Sequence, residues 1–462
     1  MPDSYRLNAL IYGRVPRTID VAFGFYRRPP FRSTLPTYEV MHDVQLFFDI
    51  LREVYGAYTF FGGDEVFLPI FEEILNQLEA FEFPHTTQSV ARTIHARLNP
   101  YIHDNHLSLA HHDFTSSYCV FVGNMYFERT VNGFKDRNSG LYVQEIVGHN
   151  KIDILRLSIN QYAEFLYTPV IVGNLNSVEN YLTIVFENGE STTVGLYSTK
   201  DTSEPYYRRP SLDFVDGFPI VTINAMYFEH IPPDFEEIFF GHIEGSYEFH
   251  SFVDKLQNEP AIIIDLRENF GGNALLARRW LYNLVGEFVP TSGIMLVAED
   301  YEYFISLRIE EANPDNPFYQ PMCEIRQQEV HLPLGDYHTV IYPTCPSRTN
   351  AVVPNDQIII FLTSRRTASA AEDFIDMAFH MENTLVIGQN TAGTFLTNLC
   401  FPWRALPYTG IRFGLGAMVQ IHADAHNFQE GIGLTPDLWV PCNDDALLAA
   451  LALLRNHFAS NE

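Results

Sequence analysis

The stretch QIIIFLTSRRTASAAEDFIDMAF, residues 357–379, decides the fold class. Its opening is a continuous apolar run, short and rich in β-branched side chains, as in a strand buried on both faces. The polar turn SRRT follows, and an amphipathic helical run begins near Ser369. Working outward, buried-strand runs (PIVTI, AIIIDL, QIIIFLT, TLVIG) alternate with helix-like runs (NALLARRWLYNLVG, SAAEDFIDMAFHM, DDALLAALALLRNHF) from about residue 215 to the end. Such alternation predicts an α/β layered domain. Residues 289–355, with many prolines and polar side chains, interrupt it and read as a surface excursion or lid.

Upstream, Phe47, Leu51, Val54, Tyr55 and Tyr58 recur at three- and four-residue spacing from Val44 onward, the period of a helix with one buried face. Asp64 is placed to cap a second helix carrying Phe67, Ile70, Phe71, Ile74, Leu75 and Leu78, and Thr86 or Thr87 a third carrying Val90, Ile94 and Leu98. Between about 115 and 210 the runs shorten and turn to Val, Tyr, Phe, Thr and Ile, with one hairpin expected around Asn188-Gly189. The reading divides the chain into a helical unit (1–112), a β-rich middle region (113–212) and an α/β core (213–462).

Composition narrows the functional classes. The 462 residues suggest two or three folding units and, at 46% hydrophobic, can bury substantial cores. A formal net charge of -28 repels phosphate backbones and anionic lipid, which argues against nucleic acid and membrane surfaces as partners. No stretch is long and apolar enough to span a bilayer, so a soluble globular protein is expected. Five cysteines without a CxxC pair argue against a zinc ribbon or a full disulfide framework, leaving one bridge, Cys323 to Cys345, open. The N-terminus lacks the apolar core of a signal peptide, and a trimmed leader would leave the same sequence, so cytoplasmic and secreted settings both stay open.

A serine at position 369 stands where a helix begins. The free amides and the positive end of the dipole there favour a developing oxyanion, although most serines at such positions only cap. A second piece, AIIIDLRENFGGN at 261–273, ends a strand in Gly271-Gly272, which can bring backbone amides close to a ligand. It lacks the spacing of a dinucleotide fingerprint, and Asp265 and Arg267 can simply pair with each other.

Taken in order, DLRENFGG (265–272), TASAAE (367–372), VIGQNTAG (386–393) and EGIGLTPDLWV (430–440) resemble the core of the C-terminal-processing, or tail-specific, serine peptidases. The resemblance implies a crotonase-like α/β fold. It also implies Ser369 as nucleophile, with an oxyanion hole from the amide of Ala370 and one from the Gly271-Gly272 turn. Many members place a lysine base after the glycine of the third motif, where this chain has Gly393-Thr394. Its only lysines are Lys135, Lys151, Lys200 and Lys255, so no lysine follows the first motif and a serine–lysine dyad at that position is excluded.

Histidine is the usual alternative base, since its ordinary pKa leaves it neutral and competent near pH 7. The helical unit followed by YIHDNHLSL (101–109) resembles the segment before the core in tricorn-like, histidine-dependent members, which makes His106 the base. Nearby His103, His111 and His112, with Asp104 and Asp113, match no common metal spacing and are expected to be structural. Glu430 stands where tricorn-like members place the acid that orients the imidazole. Glu372 is expected to support the helix start and Asp437 to end a strand.

No carboxylate-binding loop of a PDZ domain is legible between 115 and 250. The expectation is a serine endopeptidase acting on extended or unfolded polypeptides through Ser369, His106 and Glu430, with peptide or protein as its partner and no metal or organic cofactor. A non-catalytic ligand- or peptide-binding protein on the same fold, or a peptidase kept latent by the 289–355 excursion, are the alternatives.

Overall fold

The computed structural model describes residues 32–80, 84–115, 118–174, 181–199, 208–226, 246–287, 289–298, 332–334, 337–340, 353–400, 404–422, 429–441 and 443–460. The chain falls into two units, each assembled from separate stretches of sequence: 1–116, 293–342 and 395–421 in the first, 117–292, 343–394 and 422–462 in the second.

The first unit opens with three helices, α1 (Thr37–Val54), α2 (Gly63–Glu79) and α3 (Thr87–Leu98). The spacing predicted all three. Val40, Val44, Phe47, Leu51 and Val54 form the buried stripe of α1 and join Phe67, Ile70 and Ile74 of α2 and Val90 and Ile94 of α3 in one core. Thr86 caps α3 as expected, its hydroxyl accepting the amide of Ser89 at 3.1 Å while Ser89 reaches back to the Thr86 amide. The α2 start differs by two residues. Gly62, at φ 108°, is the cap, and Asp64 lies in the first turn, where its carboxylate takes the Tyr58 hydroxyl and Arg52.

Strands Asp104–Leu109 and His112–Phe114 form a tight hairpin whose turn residues, Ala110 and His111, both have positive φ. They belong to a four-stranded sheet completed by Arg412–Gly414 and Arg404–Ala405. A second sheet contains Gly293–Ala298, Leu332–Leu334 and Tyr337–Val340 together with Thr397–Cys400 and Gly416–His422. The described parts of the predicted excursion are therefore paired strands. Cys323 and Cys345 lie outside the described residues; Cys119 is a buried free thiol.

The second unit is built on a 14-stranded mixed sheet. Its parallel heart is β1 (Phe218–Thr222), β2 (Ala261–Asp265), β3 (Ile358–Thr363), β4 (Thr384–Gly388) and β5 (Leu438–Trp439), side by side in that order. The run AIIID is buried along almost its whole length and IIIFLT nearly so, which explains why these strands carry no polar alternation. Helices α4 (Ser246–Leu256), α5 (Ala274–Val285), α6 (Ala370–Ala378) and α7 (Ala446–Ala459) pack within the same unit. Trp280 of α5 stacks on Phe249 of α4 at 5.4 Å and meets Phe374 of α6 edge-on. The β-rich region continues the sheet, and the hairpin predicted around Asn188-Gly189 is present, Tyr181–Phe186 pairing with Ser191–Ser198 in antiparallel register.

Candidate functional site

At the carboxyl ends of the parallel strands, the four motifs of the second unit converge. Ser369 follows β3 and caps α6 with φ 54° and ψ -121°, a conformation that a residue with a side chain adopts only when its surroundings enforce it. The strand–turn–helix arrangement presents the serine on a sharp elbow at a helix N-terminus.

The first motif packs directly on this elbow. Gly271 has φ 99°, and a Cβ there would come 2.6 Å from the Ser369 Cβ and 3.2 Å from the Ala370 nitrogen, so only glycine lets the turn approach. The two segments are also hydrogen-bonded: the Ala368 amide donates to the Asn269 carbonyl at 2.9 Å and the Thr367 hydroxyl to the Leu266 carbonyl at 2.8 Å. The Gly271 amide is already engaged by the Asn269 side-chain oxygen at 2.9 Å. Among the described residues the amides of Gly272 and Ala370 have no protein acceptor. Asp265 and Arg267 pair through two close contacts, 2.9 and 2.7 Å.

The third and fourth motifs lock onto the same elbow. The Ala392 amide donates to the Thr367 carbonyl, and the Gly431 amide to the Gly393 carbonyl, both at 2.8 Å. Gly393, at φ 71°, lies so close to the 431–433 backbone that a Cβ would be 2.6 Å from three of its nitrogens. Glu372 is fully buried and supports the helix start as expected, accepting the Ser369 amide at 2.9 Å. It also accepts the amides of Gly393 and Thr394, each at 2.8 Å, and the Thr391 hydroxyl. Burial pushes its carboxyl up from the ordinary value, against the pull of these donors. Asp437 exchanges hydrogen bonds with Val386 in the middle of β4 and directly precedes β5, so its role is structural but it opens a strand rather than ending one. Glu430 is half-buried and within electrostatic reach of Arg365. Beside these loops a polar cavity of about 420 Å³ is lined by Thr222, Asn224, Arg267, Glu268, Arg366 and Gln389, among others.

His106 belongs to the first unit, on Asp104–Leu109. Burial lowers its pKa below the ordinary 6.5, while Asp104 and the Thr397 carbonyl, a hydrogen-bond partner of the ring, pull the other way. The imidazole is therefore neutral at neutral pH. Asp104 is fully buried and gathers the Tyr55 hydroxyl at 2.7 Å, the Thr397 hydroxyl at 2.9 Å and the His106 amide at 2.9 Å. These partners were not foreseen; the DNH spacing was their only signal. Of the neighbouring histidines, His112 stacks on the ring of His95 at 4.9 Å, and His95 also touches Phe114. Among the described residues no cluster of His, Cys, Asp or Glu could hold a metal ion.

Thus Ser369, Ala370, Gly271, Gly272 and Glu430 share the second unit, and His106 is held within the first. A serine on a strained elbow, beside backbone amides without a protein acceptor, is an arrangement suited to acyl transfer and in keeping with the serine peptidase class. Residues 223–440 match the model of peptidase family S41, which supports reading the chain as a serine peptidase similar to the C-terminal-processing family. No curated protein matches the chain in sequence. Among solved structures, mature CPAF complexed with lactacystin is similar at 14% identity and a TM-score of 0.47, covering 92% of this chain and 99% of that one. The photosystem II D1 C-terminal processing protease has 11% identity and a TM-score of 0.34, covering 88% and 93%. The tricorn protease has 14% identity and a TM-score of 0.38, covering 90% of this chain and 37% of its own. No described helix is long and apolar enough to cross a membrane.

Proposed function

We propose that the chain is an endopeptidase of extended or unfolded polypeptides, acting through Ser369, His106 and Glu430 on a crotonase-like layered core with a β-rich insert. The observation that carries this reading is the backbone of Ser369, strained at φ 54° on the first residue before α6. In the proposed cycle neutral His106 takes the Ser369 proton as the oxygen attacks the scissile carbonyl. The carbonyl oxygen becomes an oxyanion, held by the amides of Ala370 and Gly272. Collapse expels the amine, which receives the proton from His106, and leaves an acyl-serine. Water, deprotonated by His106, then releases the acid and restores the serine. Gly271 contributes by its lack of a side chain, since its amide is engaged by Asn269.

The lowered pKa of His106 supports its assignment as base. Its hydrogen bond to the Thr397 carbonyl supplies an orienting acceptor, so Glu430 enters as an acid acting with Arg365 beside it, its part in orienting the imidazole resting on motif order alone. Incubation with casein tests the reading. Wild type should cleave it, with losses on the order of a million-fold for Ser369→Ala or His106→Ala and less for Glu430→Ala. Intact casein with the wild type would contradict the reading.

A further inference from the structure

We infer that Glu372 is a positioning residue for Ser369, holding the strained elbow and the 391–394 loop in one register; the inference rests on reading Ser369 as the nucleophile. An ordinary capping glutamate makes one bond to the amide of the cap residue and remains at the surface. Glu372 makes that bond, to Ser369, and three more, to Gly393, Thr394 and Thr391, with none of its surface exposed. The carboxylate therefore couples the nucleophile's own amide to a loop nineteen to twenty-two residues further along the chain.

Arg365, four residues before the serine, completes the hold with the opposite charge. Its guanidinium donates to the carbonyls of Thr391 (2.7 Å), Ala392, Gly431 (2.6 Å) and Ile432 (3.4 Å). The loop thus presents its N–H groups to a carboxylate and its carbonyls to a guanidinium, both carried by the segment that bears Ser369. A peptide clamped at both polarities cannot shift without breaking charge-assisted bonds. The strain at Ser369 is maintained because its amide has a buried charged acceptor.

The test is the second-order rate at which a fluorophosphonate labels Ser369, followed by intact mass, alongside kcat, KM and the thermal melt. Glu372→Gln keeps the size but presents an amide where two N–H donors converge; it should label about 100-fold more slowly, the scale of a small misplacement of reacting groups. Its kcat should fall with KM unchanged. Should Glu372→Gln fail to fold, Thr391→Val and Thr391→Ser decide: the valine variant, lacking the hydroxyl, should label about 10-fold more slowly and the serine variant within about 3-fold of wild type. Folded variants that melt lower yet label at the wild-type rate would overturn the inference alone. A wild type that does not label at all would bring down the reading of Ser369, and this inference with it.

Discussion

The proposed nucleophile and base each lie beside a buried carboxylate, Ser369 through its amide to Glu372 and His106 through its amide to Asp104. His106 has its pKa lowered first by desolvation, so the proposed base stays neutral as pH falls through 6.5 and is lost only when protonated below that. The acid limb of kcat/KM should accordingly lie below pH 6.5. Asp104 opposes the shift, so Asp104→Asn should move the limb lower still, as a pH–rate profile would reveal; a limb that stays put would exclude His106 as the titrating base. Gly393→Ala should be poorly tolerated, because its Cβ would meet three backbone nitrogens at 2.6 Å and its φ is 71°. We expect a loss of casein cleavage with a lowered melting temperature.

At the scale of elements, the helix layer of the second unit depends on Trp280, which fills the space between α4 and α6 and donates to the Phe249 carbonyl. Trp280→Ala should cost about 3–5 kcal/mol by denaturant unfolding. His250 on α4 is held neutral, its pKa lowered to about 4 by burial and by Arg279. Because the folded pKa lies below the unfolded one, its contribution is fully present above pH 6.5 and lost as pH falls through about 4. That loss is at most about 3 kcal/mol, and His250→Phe should flatten this part of the acid-stability curve. Helices α1 to α3 and the buried strands were legible because periodicity records which face is covered. The α2 start was misread by two residues because Gly62, with φ 108°, ends the preceding turn before Asp64 can cap.

For the whole molecule, the order of the four motifs pointed to the family whose model matches residues 223–440, and their convergence at the strand ends is what that order means physically. The packing of the Gly-Gly turn against the Ser369 helix start was legible because both segments carry the residue types of their motifs. Beyond the helix-start role of Glu372, the contacts of Glu372, Arg365, Asn269 and Thr397 were hidden because most of their partners are backbone atoms, which leave no residue-type pattern. The net charge of -28 also has a consequence for encounter with substrate. Cationic unfolded polypeptides should be cleaved faster than anionic ones, with an advantage that shrinks as salt is added; equal rates at low salt would count against steering.

The most direct test is intact-mass analysis after treatment with a fluorophosphonate, comparing wild type with Ser369→Ala. A single adduct on the wild type, absent from the variant, is the predicted result. An adduct that persists in Ser369→Ala, or none on the folded wild type, would contradict an activated serine at position 369.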